Sequence, residues 1–184
     1  MSELIRRTAI LIAVPELADF TDRWRSVSYW SECPGVPLTE IVPPHISVLV
    51  PWLAEPSARD VQRLRDAIAD VDPFEIIFPA AGRFPNGTVW LRPEPFDRVR
   101  ELLRSVFAAF PECPPYGGEF TEPHPHLTIA MPGQHSAGVL AEAEAALAVA
   151  PPPVFRFDAL GLWREHIGGA WQPIGSVPLD NGRA

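Results

Sequence analysis

The sequence predicts an α+β fold of two pseudo-symmetric lobes, each a small, mostly antiparallel sheet backed by helices, around a central cleft. Three observations carry this expectation. Short apolar runs bounded by proline and glycine alternate with segments whose apolar residues recur at helical spacing. The order of elements starts afresh near the middle of the chain. Runs of consecutive strands call for mixed or antiparallel pairing. The expected organisation is one bilobal domain over 1–184, with repeat-like halves at about 6–85 and 86–180.

In order, Thr8–Val14 reads as a buried strand and 16–28 as a helix opened by Pro15. His45–Val50 is a second strand, ended by Pro51. Ser57–Val71 reads as a helix that Ser57 can cap, with Val61, Leu64, Ile68 and Val71 as its apolar stripe. Phe74–Phe78 is a strand. The second half then gives a strand at Thr88–Leu91, a helix at Phe96–Phe110 and a strand at His126–Met131. An Ala-rich helix follows at Ser136–Val149, then a strand at Val154–Trp163 and a last strand at Ala170–Val177 after the Gly168-Gly169 turn. Echoes between the halves support duplication. Pro15-Glu16 recurs as Pro93-Glu94, Arg25-Ser26-Val27 recurs as Arg104-Ser105-Val106, and both His45–Phe74 and His126–Phe155 are separated by 29 residues.

Composition narrows the chemistry. The apolar fraction is 47%, enough for a proper core in 184 residues. No apolar run approaches the length of a membrane span, and Met1–Arg7 lacks the order of a signal peptide, so the expected compartment is the cytoplasm. Cys33 and Cys113 belong to no CxxC pair and are expected as free thiols. A net charge of -8 favours a small or single-stranded partner over a long duplex. All 15 basic residues are arginine. Without lysine there is no Schiff base, no P-loop lysine and no lysyl-nucleotide intermediate of the ATP-dependent ligase kind.

The chemistry sits on two matching strands, Pro44-His45-Ile46-Ser47-Val48-Leu49-Val50-Pro51 and Pro125-His126-Leu127-Thr128-Ile129-Ala130-Met131-Pro132. Strand side chains alternate faces, so Ile46, Val48 and Val50, and Leu127, Ile129 and Met131, enter a core, while His45 with Ser47, and His126 with Thr128, share the open face. Opening or closing a phosphodiester needs one proton taken from the nucleophile and one given to the leaving oxygen. Imidazole, with a reference pKa near ~6.5, does either. Hydroxyls two residues on would lie beside the imidazoles and donate to phosphoryl oxygens. An isolated His-x-Ser is usually an ordinary surface or core histidine; two copies at matching places are much harder to ascribe to packing.

These paired His-aliphatic-Ser/Thr-aliphatic motifs resemble those of the two-histidine (2H) phosphoesterase superfamily, in its 2'-5' RNA ligase branch. The segment from Phe84-Pro85 to Pro95 with Trp90-Leu91, and Pro115-Tyr116-Gly117-Gly118, are similar to that branch as well. The resemblance implies a bilobal fold around a groove. It implies cyclic or linear phosphodiesters of nucleotides or RNA ends as substrates, no required metal or cofactor, and in some relatives ATP-independent 2'-5' joining. In one respect the chain departs from many relatives: Ala130-Met131-Pro132-Gly133 offers no basic residue after the second motif.

Other residues have alternative readings. Trp90 and Arg92 alternate with Val89 and Leu91. They face the groove as base-stacking and phosphate contacts, or Trp90 belongs to a core and Arg92 to a strand end. Tyr116 and Arg83 are further candidate substrate contacts. His124 and His126 form a His-x-His, but no third ligand is evident beyond His135 and Glu122, so no metal is expected. His135 and His166 are expected in solvated loops. The alternative to an enzyme is a non-catalytic module that binds a nucleotide or phosphometabolite in the same groove; a regulatory interaction protein is a third, weaker reading.

Overall fold

The computed structural model describes residues 5–32, 35–118, 122–133 and 136–179. Among the described residues eight strands form one antiparallel, curled sheet: β1 (Ile5–Ala13), β2 (His45–Leu49), β3 (Phe74–Arg83), β4 (Val89–Glu94), β5 (Leu127–Ala130), β6 (Phe155–Phe157), β7 (Ala159–His166) and β8 (Trp171–Pro178). Their spatial order is β6-β3-β4-β5-β2-β1-β7-β8. Among the described residues four α-helices accompany it: α1 (Ala18–Glu32), α2 (Ala58–Ala67), α3 (Phe96–Ala109) and α4 (Val139–Val149). α1 packs behind β5, α3 behind β2 and β4, α4 behind β3, and α2 beside α3. Among the described residues no helix is long and apolar enough to cross a membrane.

The two faces of the sheet follow from alternation along each strand. Ile10, Ile12, Ile46, Val48, Leu91, Leu127 and Ile129 are buried on the helix-covered face. There they meet Leu64 and Ile68 of the α2 region and Val99, Leu102, Leu103 and Val106 of α3. This is the main core, and its burial supplies most of the stabilisation. A smaller cluster on the opposite face joins Ala9, Leu11 and Val50 to Ile41 and Val42, with Trp163 and Trp171 packed against it. The segment leading into β2 therefore folds over part of the open face. Val50, expected beside Ile46 and Val48, changes face where the β1–β2 register shifts between Ile10 and Leu11. Met131, expected in the core, is half-buried past the end of β5.

Several boundaries differ from the sequence expectation for local reasons. β3 runs past Pro79 to Arg83 because the proline sits exposed at a register irregularity between Ile77 and Ala80, where no ladder donor is needed. α2 starts as expected with a capping box, in which the Asp60 carboxylate accepts from the Ser57 amide at 2.9 Å. It ends at Ala67 rather than Val71, where the Ile68 amide turns to Arg65 and Asp66 carbonyls. The expected strand Val154–Trp163 is two strands: β6 pairs with β3, and after Asp158 the chain continues as β7 against β1. β3 lies between β6 and β4, so the sheet does not divide where the sequence echoes do. His166 is no loop residue: it ends β7, half-buried. Cys113 is a buried free thiol; Cys33 and His135 lie outside the described residues.

Candidate active site

The two motif strands are neighbours. β2 and β5 pair antiparallel at Ile46 and Leu127. That register sets His45 against Thr128 and Ser47 against His126, all on the face away from the main core. The site thus stands at the joint between the strand groups β6-β3-β4-β5 and β2-β1-β7-β8.

Each imidazole is oriented by a backbone carbonyl two residues upstream. His45 Nδ1 lies 2.8 Å from the Pro43 carbonyl oxygen, and His126 Nδ1 lies 2.7 Å from that of His124. A carbonyl only accepts, so Nδ1 carries the hydrogen in both rings and Nε2 is left for the cleft. The sequence explains the geometry. Pro44 and Pro125 hold the residue before them in extended backbone, which aims its carbonyl at the following histidine. The Val42 carbonyl just upstream accepts from Arg25, which also bonds Asp22 at 2.6 Å and is itself buried.

The two histidines differ in surroundings. Burial holds His45 down at about 4, and the positive charges of Arg25, His126 and Arg7 push the same way, against the Pro43 hydrogen bond. His126 is also lowered by burial and by His124, against its own carbonyl bond. It stands edge-to-face with Phe84 at 4.9 Å and 6.4 Å from the Trp90 ring. His124 packs on the same rings, at 5.3 Å from Phe84 and 5.0 Å from Trp90.

The remaining candidates divide. Trp90 opposes Thr128 across β4 and β5, and its ring lies over Gly82, which serves both readings of this residue in part: half-buried, yet beside the site. Arg92 lies over Phe96 at 4.3 Å and bonds Glu94 at 2.7 Å. Tyr116 reaches the site: its amide donates to the Val50 carbonyl at 3.0 Å and its phenol hydrogen-bonds with Ser47. Burial raises the Tyr116 phenol, and the Ser47 bond and Arg7 oppose that. Arg83 is not brought in. Gly82 shares Trp90's row, so Arg83 points to the other face, near Gly87. Among the described residues no three His, Cys, Asp or Glu converge as metal ligands. Sequence reasoning missed Phe84 and Arg7 as neighbours of the site. Alternation along β1 was the available signal, since Arg7, Ala9 and Leu11 share the open face, but the expected strand began one residue too late.

The arrangement is that of a phosphoesterase-type fold with paired histidine strands. The chain belongs to the 2'-5' RNA ligase superfamily, whose model matches residues 13–169. Among solved structures it is similar to E. coli LigT complexed with 3'-AMP, at 18% identity and TM-score 0.58 over 96% of this chain and 99% of that one. It is similar to a protein described as a phosphoesterase, at 16% identity and TM-score 0.56 over 94% and 97%. LigT complexed with NADP+ matches at 16% identity and TM-score 0.54 over 95% and 98%. None of the curated proteins compared matches the sequence significantly.

Proposed function

We propose that this protein is a metal-independent phosphodiesterase acting on a nucleotide or RNA-end phosphodiester, such as a 2',3'-cyclic phosphate, with ATP-independent 2'-5' joining as the reverse reaction. The observation that carries this reading is the pair of carbonyl-oriented imidazoles on adjoining strands, each with a hydroxyl two residues on. In hydrolysis one neutral imidazole takes a proton from water through Nε2 as the water oxygen bonds phosphorus. The other, protonated, gives its proton to the departing ribose oxygen as that P–O bond breaks. Burial favours the neutral form of both rings before substrate binds. A phosphodiester anion between them reverses that preference for one ring, so the substrate itself recruits the acid's proton. Ser47 and Thr128 then donate to the non-bridging oxygens, and the face of Trp90 and the Tyr116 phenol border the nucleoside. The 3'-AMP bound by E. coli LigT is a product of the expected kind.

The test is incubation of the purified protein with 2',3'-cyclic nucleotides and a 2'-5'-linked dinucleotide in EDTA. Turnover is expected, and His45→Ala or His126→Ala should each lower it by roughly 10²–10⁴-fold. The double variant should be little worse, because the pair acts as a unit. Ser47→Ala and Thr128→Ala should cost ~10–10³-fold. Near-normal activity of His45→Ala would refute the mechanism; saturable binding without product would instead favour the binding module.

A further inference from the structure

The strand after the second motif carries no cation, but the strand beside it does. Leu91 pairs with Leu127 and Trp90 with Thr128, so the next position of the same register sets Arg92 against His126. On its other side Arg92 opposes Ala80, a small and exposed residue, so this end of the face lies open. The contacts continue away from Thr128. The His124 ring lies 6.3 Å from that of His126, and the Phe96 ring lies 5.3 Å from that of His124. The Arg92 guanidinium stands over Phe96 at 4.3 Å, and that of Arg100, one turn further along α3, is 5.7 Å from the same ring. His124 is exposed, and Phe96, Arg92 and Arg100 are half-buried. Both arginines keep donors to spare. Arg92 bonds Glu94 through Nε, and Arg100 bonds Asp97 through one terminal amino group. Among the described residues the terminal amino groups of Arg92 have no acceptor, and the buried Nε of Arg100 has none either. Glu94 also accepts from the Phe96 amide at 2.8 Å, which ties the Arg92 pair to the start of α3.

Position decides what this step can read. Two residues of strand span about 7 Å, so His124 and Phe96 stand one short stride from His126, within reach of the neighbouring unit of a single strand. Trp90 borders the nucleoside whose phosphate lies between the histidines, and the step begins where Trp90 ends, with the two rings of Trp90 and His124 5.0 Å apart. We propose that His124 and Phe96, with Arg92 and Arg100, bind the next nucleotide of the substrate: its base lies against the rings and its phosphate against the guanidinium groups. Accordingly, the preferred substrate class is an oligonucleotide end rather than a mononucleotide. This rests on the phosphodiesterase reading above and adds a subsite to it. Aromatic rings take any base, because every base has a π face. A guanidinium presents a planar donor fork to phosphate oxygens. Glu94 and Asp97 hold the two forks in place through one donor each and leave the others for the phosphate.

The experiment compares adenosine 2',3'-cyclic phosphate, the same compound with a 5'-phosphate, and an adenosine dinucleotide that ends in a 2',3'-cyclic phosphate. Wild type should favour the dinucleotide over the plain mononucleotide by about tenfold or more in kcat/KM, chiefly through KM, as one stacked base supplies. The 5'-phosphate alone should give only part of that gain. Arg92→Gln, Arg100→Gln and Phe96→Leu should each reduce the preference to about threefold or less. Arg100→Gln should also flatten the salt dependence of KM for the dinucleotide. Merely structural side chains behave otherwise: their loss lowers every substrate by the same factor and leaves the preference intact, and that result overturns the proposal. A wild type indifferent to the second nucleotide overturns it too, as does a gain met in full by the 5'-phosphate. If wild type turns over none of these compounds, the phosphodiesterase reading fails separately. The subsite is then read by calorimetry with a 3'-phosphorylated adenosine dinucleotide against 3'-AMP. Tighter binding of the dinucleotide that disappears in Arg100→Gln supports it, and equal binding overturns it.

Discussion

His45 should make the fold sensitive to mild acid, and the size of the effect follows from its surroundings. In the folded protein its imidazole is held at about 4, chiefly by burial and further by Arg25, His126 and Arg7. In the unfolded chain it returns to about 6.5. The unfolded state therefore binds a proton that the folded state refuses, and stability is lost as pH falls through 6.5 toward the folded value. Below that value both states are protonated and the loss levels off. At about pH 5 the linkage relation gives a loss of about 2 kcal/mol relative to about pH 8, with a ceiling of about 3 kcal/mol at lower pH. His124 and His126 are lowered as well and act in the same direction, so total acid sensitivity does not isolate one residue. The difference between wild type and His45→Gln does. Urea unfolding of both proteins at about pH 8 and about pH 5 should show wild type losing about 2 kcal/mol more than the variant. Equal losses, or an NMR titration of His45 with a midpoint near its free value, would refute the argument from burial and neighbouring charge.

Two further outcomes test the supports of the site. Gly82→Ala places a methyl group 2.5 Å from the Trp90 ring, so the ring must leave its seat against His124. The variant should fold with a loss of about 1–3 kcal/mol, show altered tryptophan fluorescence and turn over substrate more slowly; unchanged kcat/KM would show that the Trp90 face is not part of the site. Ser57→Ala removes one half of the capping box far from the cleft and should lower stability by about 1 kcal/mol in chemical denaturation, with activity unchanged.

The motif strands were legible because period-two alternation and flanking prolines speak about local backbone. Ile46, Val48, Leu127 and Ile129 had to share a face, and the histidines the other. The tautomer of each imidazole was in principle legible too, since Pro43-Pro44-His45 and His124-Pro125-His126 both place an extended carbonyl two residues back. What alternation cannot supply is partnership across the sheet. Arg7 meets Glu165 at a separation of 158 residues, and Tyr116 meets Ser47 through a loop whose Tyr116 has a left-handed φ of 51°. The continuation of β3 past Pro79 depended on a bulge that only the partner strand reveals. The break at Asp158 falls inside a stretch, Val154–Trp163, whose apolar residues read equally well as one strand despite Arg156 and Asp158.

That break governs how the chain can be dissected. A cut between residues 85 and 86 would strand β3 in the first fragment without β4 or β6, and leave β7 in the second without β1. Phe74, Ile76 and Phe78 would lose their cover in one piece, and Leu160 and Leu162 in the other. Neither fragment is a self-sufficient unit; the two should become soluble and ordered only when co-expressed, as complementing halves. The same interleaving sets the order of assembly. β1 can pair with β2 early, but its other edge must wait for β7, synthesised about 150 residues later, so the nascent protein cannot complete its first half before its second emerges.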